Sequence, residues 1–133
     1  MKADTILAHG TVVTMDDAFH LFADGALAMQ GGDIVAVGPA SQVLADCESA
    51  QVVDCAGCVV MPGLVNTHTH APMTLLRGLA DDLRLDVWLL GYVMPVEREF
   101  VSPDFVRLGT LLACAEMVRG GVTCFADMYY FED

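Results

Sequence analysis

Val59-Val60-Met61-Pro62-Gly63-Leu64-Val65-Asn66-Thr67-His68-Thr69-His70 is the stretch on which the reading of this chain turns. Its first half is apolar and rich in valine, which suits buried strands, and Pro62-Gly63 divides one run from the next. Strand side chains alternate between faces with a period of two, so His68 and His70 leave the same face, about 7 Å apart along the backbone. Where the strand ends or twists, two such imidazoles can converge on one cation, the geometry of a metal site at the mouth of a sheet or barrel. Zinc there needs at least one further protein ligand and an open position for water, whose pKa it lowers from about 15.7 toward about 7. The competing reading is a pair of polar or core histidines satisfied by packing and hydrogen bonds.

Downstream, Leu85 to Phe100 has helical spacing, with Leu85, Leu89, Tyr92/Val93 and Val96 on one stripe, and its helix should break or kink before Pro95. Ser102 to Arg119 is the clearest helix. Ser102 can cap it, Pro103 suits the first helical position, Asp104 favours the positive end, and Gly120-Gly121 stops it. Its apolar face is expected through Phe105, Leu108, Leu112, Ala115 and Met117 or Val118. Val122 to Met128 reads as another buried strand. Strand, helices and strand in that order form the repeat of a parallel sheet or barrel.

Upstream, Thr5–Ala8 and Thr11–Met15 read as short strands separated by His9-Gly10, and Gly31-Gly32-Asp33 as the turn of a hairpin. A short helix after Pro39 and strands at 51–54 and 58–61 complete a small, mostly β layer. The expected organisation is therefore residues 1–60 as part of a β-sandwich, then residues 61–133 as the first βα units of an incomplete (β/α)8 barrel. A closed barrel typically needs roughly 250 residues, and this chain has 133.

Composition narrows the partners. The net charge of −12 comes from 6 basic and 18 acidic residues, and no Lys/Arg cluster is available to displace counterions from a nucleic-acid backbone. No stretch reaches the length of a membrane span and no signal peptide opens the chain, so a cytoplasmic location is expected. Apolar content of 55 % is high for a soluble domain and predicts surface that expects covering, by more chain or in a homo-oligomer. The five cysteines, including the Cys55-Ala56-Gly57-Cys58 spacing, read as structural thiols in a reducing compartment.

Other residues carry a weaker chemical case. Trp88 could stack on a flat ring and Glu97 could accept hydrogen bonds from hydroxyls, against readings as core indole and exposed carboxylate. Asp127 either orients a ligand histidine or caps the loop that follows. Tyr129, Tyr130 and Phe131 read as an aromatic stripe in the core, and His9 and His20 as structural or surface residues.

Val60 to His70, Met73 to Asp82, Trp88-Leu89, Pro95-Val96-Glu97 and Glu116 to Tyr129 together resemble the amidohydrolase superfamily, in its chlorohydrolase/deaminase branch, over essentially the whole chain. The resemblance implies that His68 and His70 are ligands of one divalent metal, zinc or else iron or another divalent ion. It implies too that Glu97 holds ribose hydroxyls and Trp88 forms a pocket wall. The implied activity is deamination of a purine nucleoside, such as 5-methylthioadenosine or S-adenosylhomocysteine, by metal-activated water. A chlorohydrolase or a guanine-type deaminase of the same superfamily is the alternative. The later metal histidine, the acid/base glutamate with its companion histidine and the final metal aspartate of that family have no counterpart in these residues. The chain is therefore expected to be an N-terminal portion, inactive alone, with a truncated structural or assembly unit as the rival reading.

Overall fold

The structure is a computed structural model describing residues 1–131. It contains two compact units, Met1–Pro62 and a second from Gly63 onward.

The first unit is one five-stranded sheet and one helix: β1 (Thr5–Val13), β2 (Leu21–Gln30), β3 (Asp33–Pro39), α1 (Ala40–Asp46), β4 (Gln51–Asp54) and β5 (Val59–Val60). Strand order is β3-β2-β1-β4, and β5 pairs with β1 beyond β4. The β2–β3 hairpin turns through Gly31 and Gly32 at φ 62° and 105°, angles that cost glycine little. Ile6, Ala8, Ala26 and Ala28 pack against Ala40, Val43 and Cys47 of α1 and its end. The two short strands expected around His9-Gly10 form a single strand. His9 adopts φ 63° and the register with β2 shifts there, so the chain passes the irregularity as a bulge without leaving the sheet. A consequence is that Ile6 and Ala8 lie under α1 while Val12 lines an apolar groove with Leu27, Ile34 and Val37. All five cysteines are free thiols, and Cys55 and Cys58 close a turn through a backbone bond of 2.9 Å.

The second unit opens with β6 (Leu64–Thr69) and reaches β7 (Val122–Asp127) through α2 (Leu85–Trp88), α3 (Met94–Phe100) and α4 (Pro103–Arg119). β6 and β7 pair in parallel, from Leu64 opposite Val122 to Thr69 opposite Asp127. The two strands form an open pair, so the unit is an incomplete (β/α)8-like arrangement. The break expected before Pro95 takes the form of a wider, π-helical turn at Leu89–Val93 between α2 and α3. Proline lacks an N–H and crowds the carbonyl four residues back; the widened turn accommodates both at Pro95 and Gly91.

α4 begins as its sequence suggests, with Ser102 Oγ accepting from the Phe105 N–H at 3.2 Å and Gly121 leaving the helix at φ 83°. Its packed face differs from the expected stripe. Gly109 and Ala113 are buried, whereas Leu108 and Leu112 are 55 % and 41 % exposed. A Cβ on Gly109 would stand 2.5 Å from the Pro72 carbonyl oxygen, so the missing side chain lets α4 lie on the backbone of the 3₁₀ turn Ala71–Leu76. Close backbone approach sets the buried line here, and the larger leucines point away from it. Arg77 and Glu116 tie the same two segments with a bidentate pair at 3.0 and 2.6 Å. Among the described residues, no helix is long and apolar enough to cross a membrane.

Candidate functional site

The C-terminal ends of β6 and β7 place the histidines. His68 lies within β6 and His70 immediately beyond it, where the chain leaves the sheet for the 3₁₀ turn. Their rings meet edge to face, with centroids 5.2 Å apart and planes at 79°. Two imidazoles bound at about 2.0–2.1 Å to one tetrahedral ion would have centroids roughly 5 Å apart, so the observed separation fits a shared divalent cation.

Loop backbone orients one of the rings. His70 Nδ1 lies 2.7 Å from the Met128 carbonyl oxygen. A carbonyl can only accept, so Nδ1 carries a proton, and in the neutral ring Nε2 is the nitrogen with the free lone pair, the arrangement common in metal-binding histidines. Asp127 takes the second of its expected roles, capping the chain as it leaves β7, and among the described residues makes no hydrogen bond to a histidine ring. Its Oδ1 accepts from the backbone N–H groups of Ala71 at 2.9 Å and Met128 at 3.0 Å. It thereby pins the residue after His70 to the residue whose carbonyl holds the His70 ring. His68 is exposed, and its N–H donates to Asn66 Oδ1 at 3.2 Å. Among the described residues, no group of three or more His, Cys, Asp or Glu side chains gathers to hold a metal.

His70 also lines a cavity of about 470 Å³ with Met73, Leu85, Trp88, Val93, Glu97, Met128, Tyr129 and Tyr130. Trp88 and Glu97 are both half-buried there, so neither the core indole nor the exposed carboxylate describes them. The widened turn at Leu89–Val93 separates them along the helix, and both still face the same space. The tyrosines correct the core-stripe expectation. Tyr129 and Tyr130 sit 4.9 Å apart as cavity wall, and the Tyr129 hydroxyl donates to Glu97 Oε1 at 2.7 Å. Burial first, then the Glu97 carboxylate, pushes the Tyr129 hydroxyl well above the usual tyrosine range, so it remains a donor. Sequence offered one usable signal for Tyr129, its place just past the C-terminal end of a parallel strand, where sites in such folds are built. It offered none for the Met128 carbonyl, because every residue has one. In the first unit, His9 pairs with Asp24 at 3.0 Å and His20 with Asp16 at 2.6 Å, all of them exposed.

Parallel strands joined through helices carry the paired histidines at the C-terminal rim of the pair, the place where sites are built in α/β-barrel folds. Residues 59–133 match the amidohydrolase family, and the chain belongs to it. The chain is 51 % identical over 131 residues to the 5-methylthioadenosine/S-adenosylhomocysteine deaminase of Syntrophobacter fumaroxidans, covering 98 % of this chain and 30 % of that protein. It is 47 % identical to the 5'-deoxyadenosine deaminase of Methanosarcina mazei, covering 98 % of this chain and 29 % of that one. A crystal structure of an adenosine deaminase from Xanthomonas campestris with bound zinc superposes with a TM-score of 0.90 at 45 % identity, over 98 % of this chain and 30 % of that one. An atrazine chlorohydrolase from Arthrobacter aurescens in complex with zinc and atraton gives 0.81 at 26 %, over 96 % and 29 %. The chain thus spans about 30 % of the length of the relatives it matches.

Proposed function

We propose that these 133 residues are the N-terminal part of a zinc-dependent aminohydrolase acting on an adenosine-type nucleoside, and that alone they hold part of a site and turn nothing over. The observation that supports this best is the convergence of His70, Trp88 and Glu97 on one cavity, beside a histidine pair spaced for a shared ion. In this reading His68 and His70 hold the metal, which when bound supplies the Lewis acidity that makes water a competent nucleophile at neutral pH. Met128 keeps His70 in the metal-binding tautomer. Trp88 stacks on the purine, Glu97 accepts from the sugar hydroxyls, and the apolar wall from Met73, Leu85 and Val93 keeps bulk water from the ring. The exchange consumes one water and releases one ammonia for each C6 amino group replaced by oxygen. Adenosine-type deaminases from three organisms, each above 40 % identity, favour the nucleoside as substrate.

The full-length protein is expected to release ammonia from 5-methylthioadenosine, S-adenosylhomocysteine or adenosine, measured in a coupled ammonia assay beside guanine and atrazine. Ammonia from none of the nucleosides would overturn the assignment. Chloride release from atrazine would favour the second reading, which the likeness to the chlorohydrolase supports.

The segment by itself presents two histidines and a helix face with Leu108, Leu111 and Leu112 exposed, which also suits a structural or assembly unit. The isolated 133-residue chain should bind zinc weakly and substoichiometrically in a titration followed by elemental analysis, since structural zinc sites are almost always four-coordinate and catalytic ones use three protein ligands. Tight binding of one zinc per monomer, with light scattering showing no association, would contradict both the partial site and the assembly role.

A further inference from the structure

We infer that Tyr129 is a positioning residue, holding the Glu97 carboxylate so that its second oxygen faces the vicinal hydroxyls of a bound nucleoside. This rests on the reading of Glu97 given above and goes beyond it. Glu97 Oε1 is occupied by the Tyr129 hydroxyl at 2.7 Å, and among the described residues Oε2 has no protein partner. A glutamate side chain has three rotatable bonds, and ordering one on binding lowers affinity. A carboxylate already fixed at one oxygen avoids most of that loss. The fixing group is itself stiff: the Tyr129 ring has two torsions and lies against Tyr130 at 4.9 Å and His70 at 6.4 Å.

The preceding residue does the same for another group lining the cavity. The Met128 carbonyl holds the His70 imidazole, so two consecutive residues leaving β7 each secure one group, the histidine through a main-chain oxygen and the carboxylate through a phenol. The separation of the metal side from the sugar side is thereby set by one short piece of backbone. That backbone is in turn fixed by Asp127 Oδ1 on the Met128 N–H and by the Met128 N–H to Thr69 carbonyl contact at 3.2 Å. The ligand chemistry this favours is a cis-diol beside a flat ring, and sugars lacking those hydroxyls gain nothing from Tyr129.

The test compares adenosine with 2',3'-dideoxyadenosine on the full-length holoenzyme, and inosine with 2',3'-dideoxyinosine by calorimetric binding to the metal-free protein. Tyr129→Phe keeps the ring and removes only the donor. A charge-assisted bond of this kind predicts roughly a tenfold rise in KM for adenosine and in Kd for inosine, with kcat nearly unchanged. The dideoxy compounds should respond little. Glu97→Gln serves as the reference variant. If it erases the diol preference while Tyr129→Phe leaves it intact, the positioning role is overturned and the reading of Glu97 stands. If Tyr129→Phe weakens diol and dideoxy compounds equally, the tyrosine is a general structural support and the inference fails. A wild-type protein that does not distinguish the two sugars overturns the reading of Glu97 and this inference together.

Discussion

His70→Ala in the full-length protein is expected to remove the metal and lower kcat/KM by about a thousandfold or more. That corresponds to at least about 4 kcal/mol of transition-state stabilisation, the scale on which Lewis-acid activation of water operates. The imidazole is the better defined of the pair, since its tautomer is set by the Met128 carbonyl and its ring borders the cavity. Elemental analysis after dialysis, beside steady-state ammonia release, reads both parts of the expectation. A packing role predicts a different pattern. The ring's contacts with His68 and Tyr129 would then be lost with a fall in melting temperature, while metal content and rate per folded molecule stayed as they were. That second pattern would remove the metal site from the account.

Gly63→Ala should be, with Gly109→Ala, among the most damaging small substitutions in the second unit. A Cβ at Gly63 would fall inside the Thr123 side chain, and even the Thr123 Cβ would be only 2.7 Å away. Rotating the threonine cannot relieve a clash with its own Cβ, so the start of the β6–β7 pair, Leu64 opposite Val122, must separate. Overpacking of this kind costs typically about 1–3 kcal/mol, and a clash with backbone-fixed atoms puts this case at about 3 kcal/mol. Urea unfolding of Gly63→Ala, Thr123→Gly and the double variant gives the coupling directly. The double variant should be more stable than the sum of the single losses predicts, because the two sites share one steric conflict. Strict additivity would show that the glycine is needed for some other reason. The strand also delivers the histidines, so metal affinity is expected to fall alongside stability.

The parts legible in the sequence were those encoded locally. Ser102, Pro103 and Gly121 mark the ends of α4 because capping and left-handed backbone are properties of single residues. The glycines at 31 and 32 specify a hairpin turn for the same reason, and the i, i+2 histidines bring their rings within 5.2 Å of each other because strand periodicity is intrinsic. Where the outcome hung on a neighbour remote in sequence, local pattern misled. The leucine stripe of α4 has the right period for a buried face, yet the helix packs through Gly109 and Ala113 because the Pro72 backbone comes that close. His9-Gly10 looks like a break, but the pairing of β1 on both sides carries the strand through it.

The candidate site divides along the same line. The family to which the chain belongs is written in the order of its residues, and the same order offers His68, His70, Trp88 and Glu97 as candidates. Which ring nitrogen of His70 is left free, what Asp127 holds, and the placing of Tyr129 against Glu97 depend on β7 lying beside β6 in parallel. Those contacts join residues 32 to 58 positions apart. A hydrogen bond specifies distance and direction between two groups, and no run of neighbouring residues contains that information until the chain has folded back on itself.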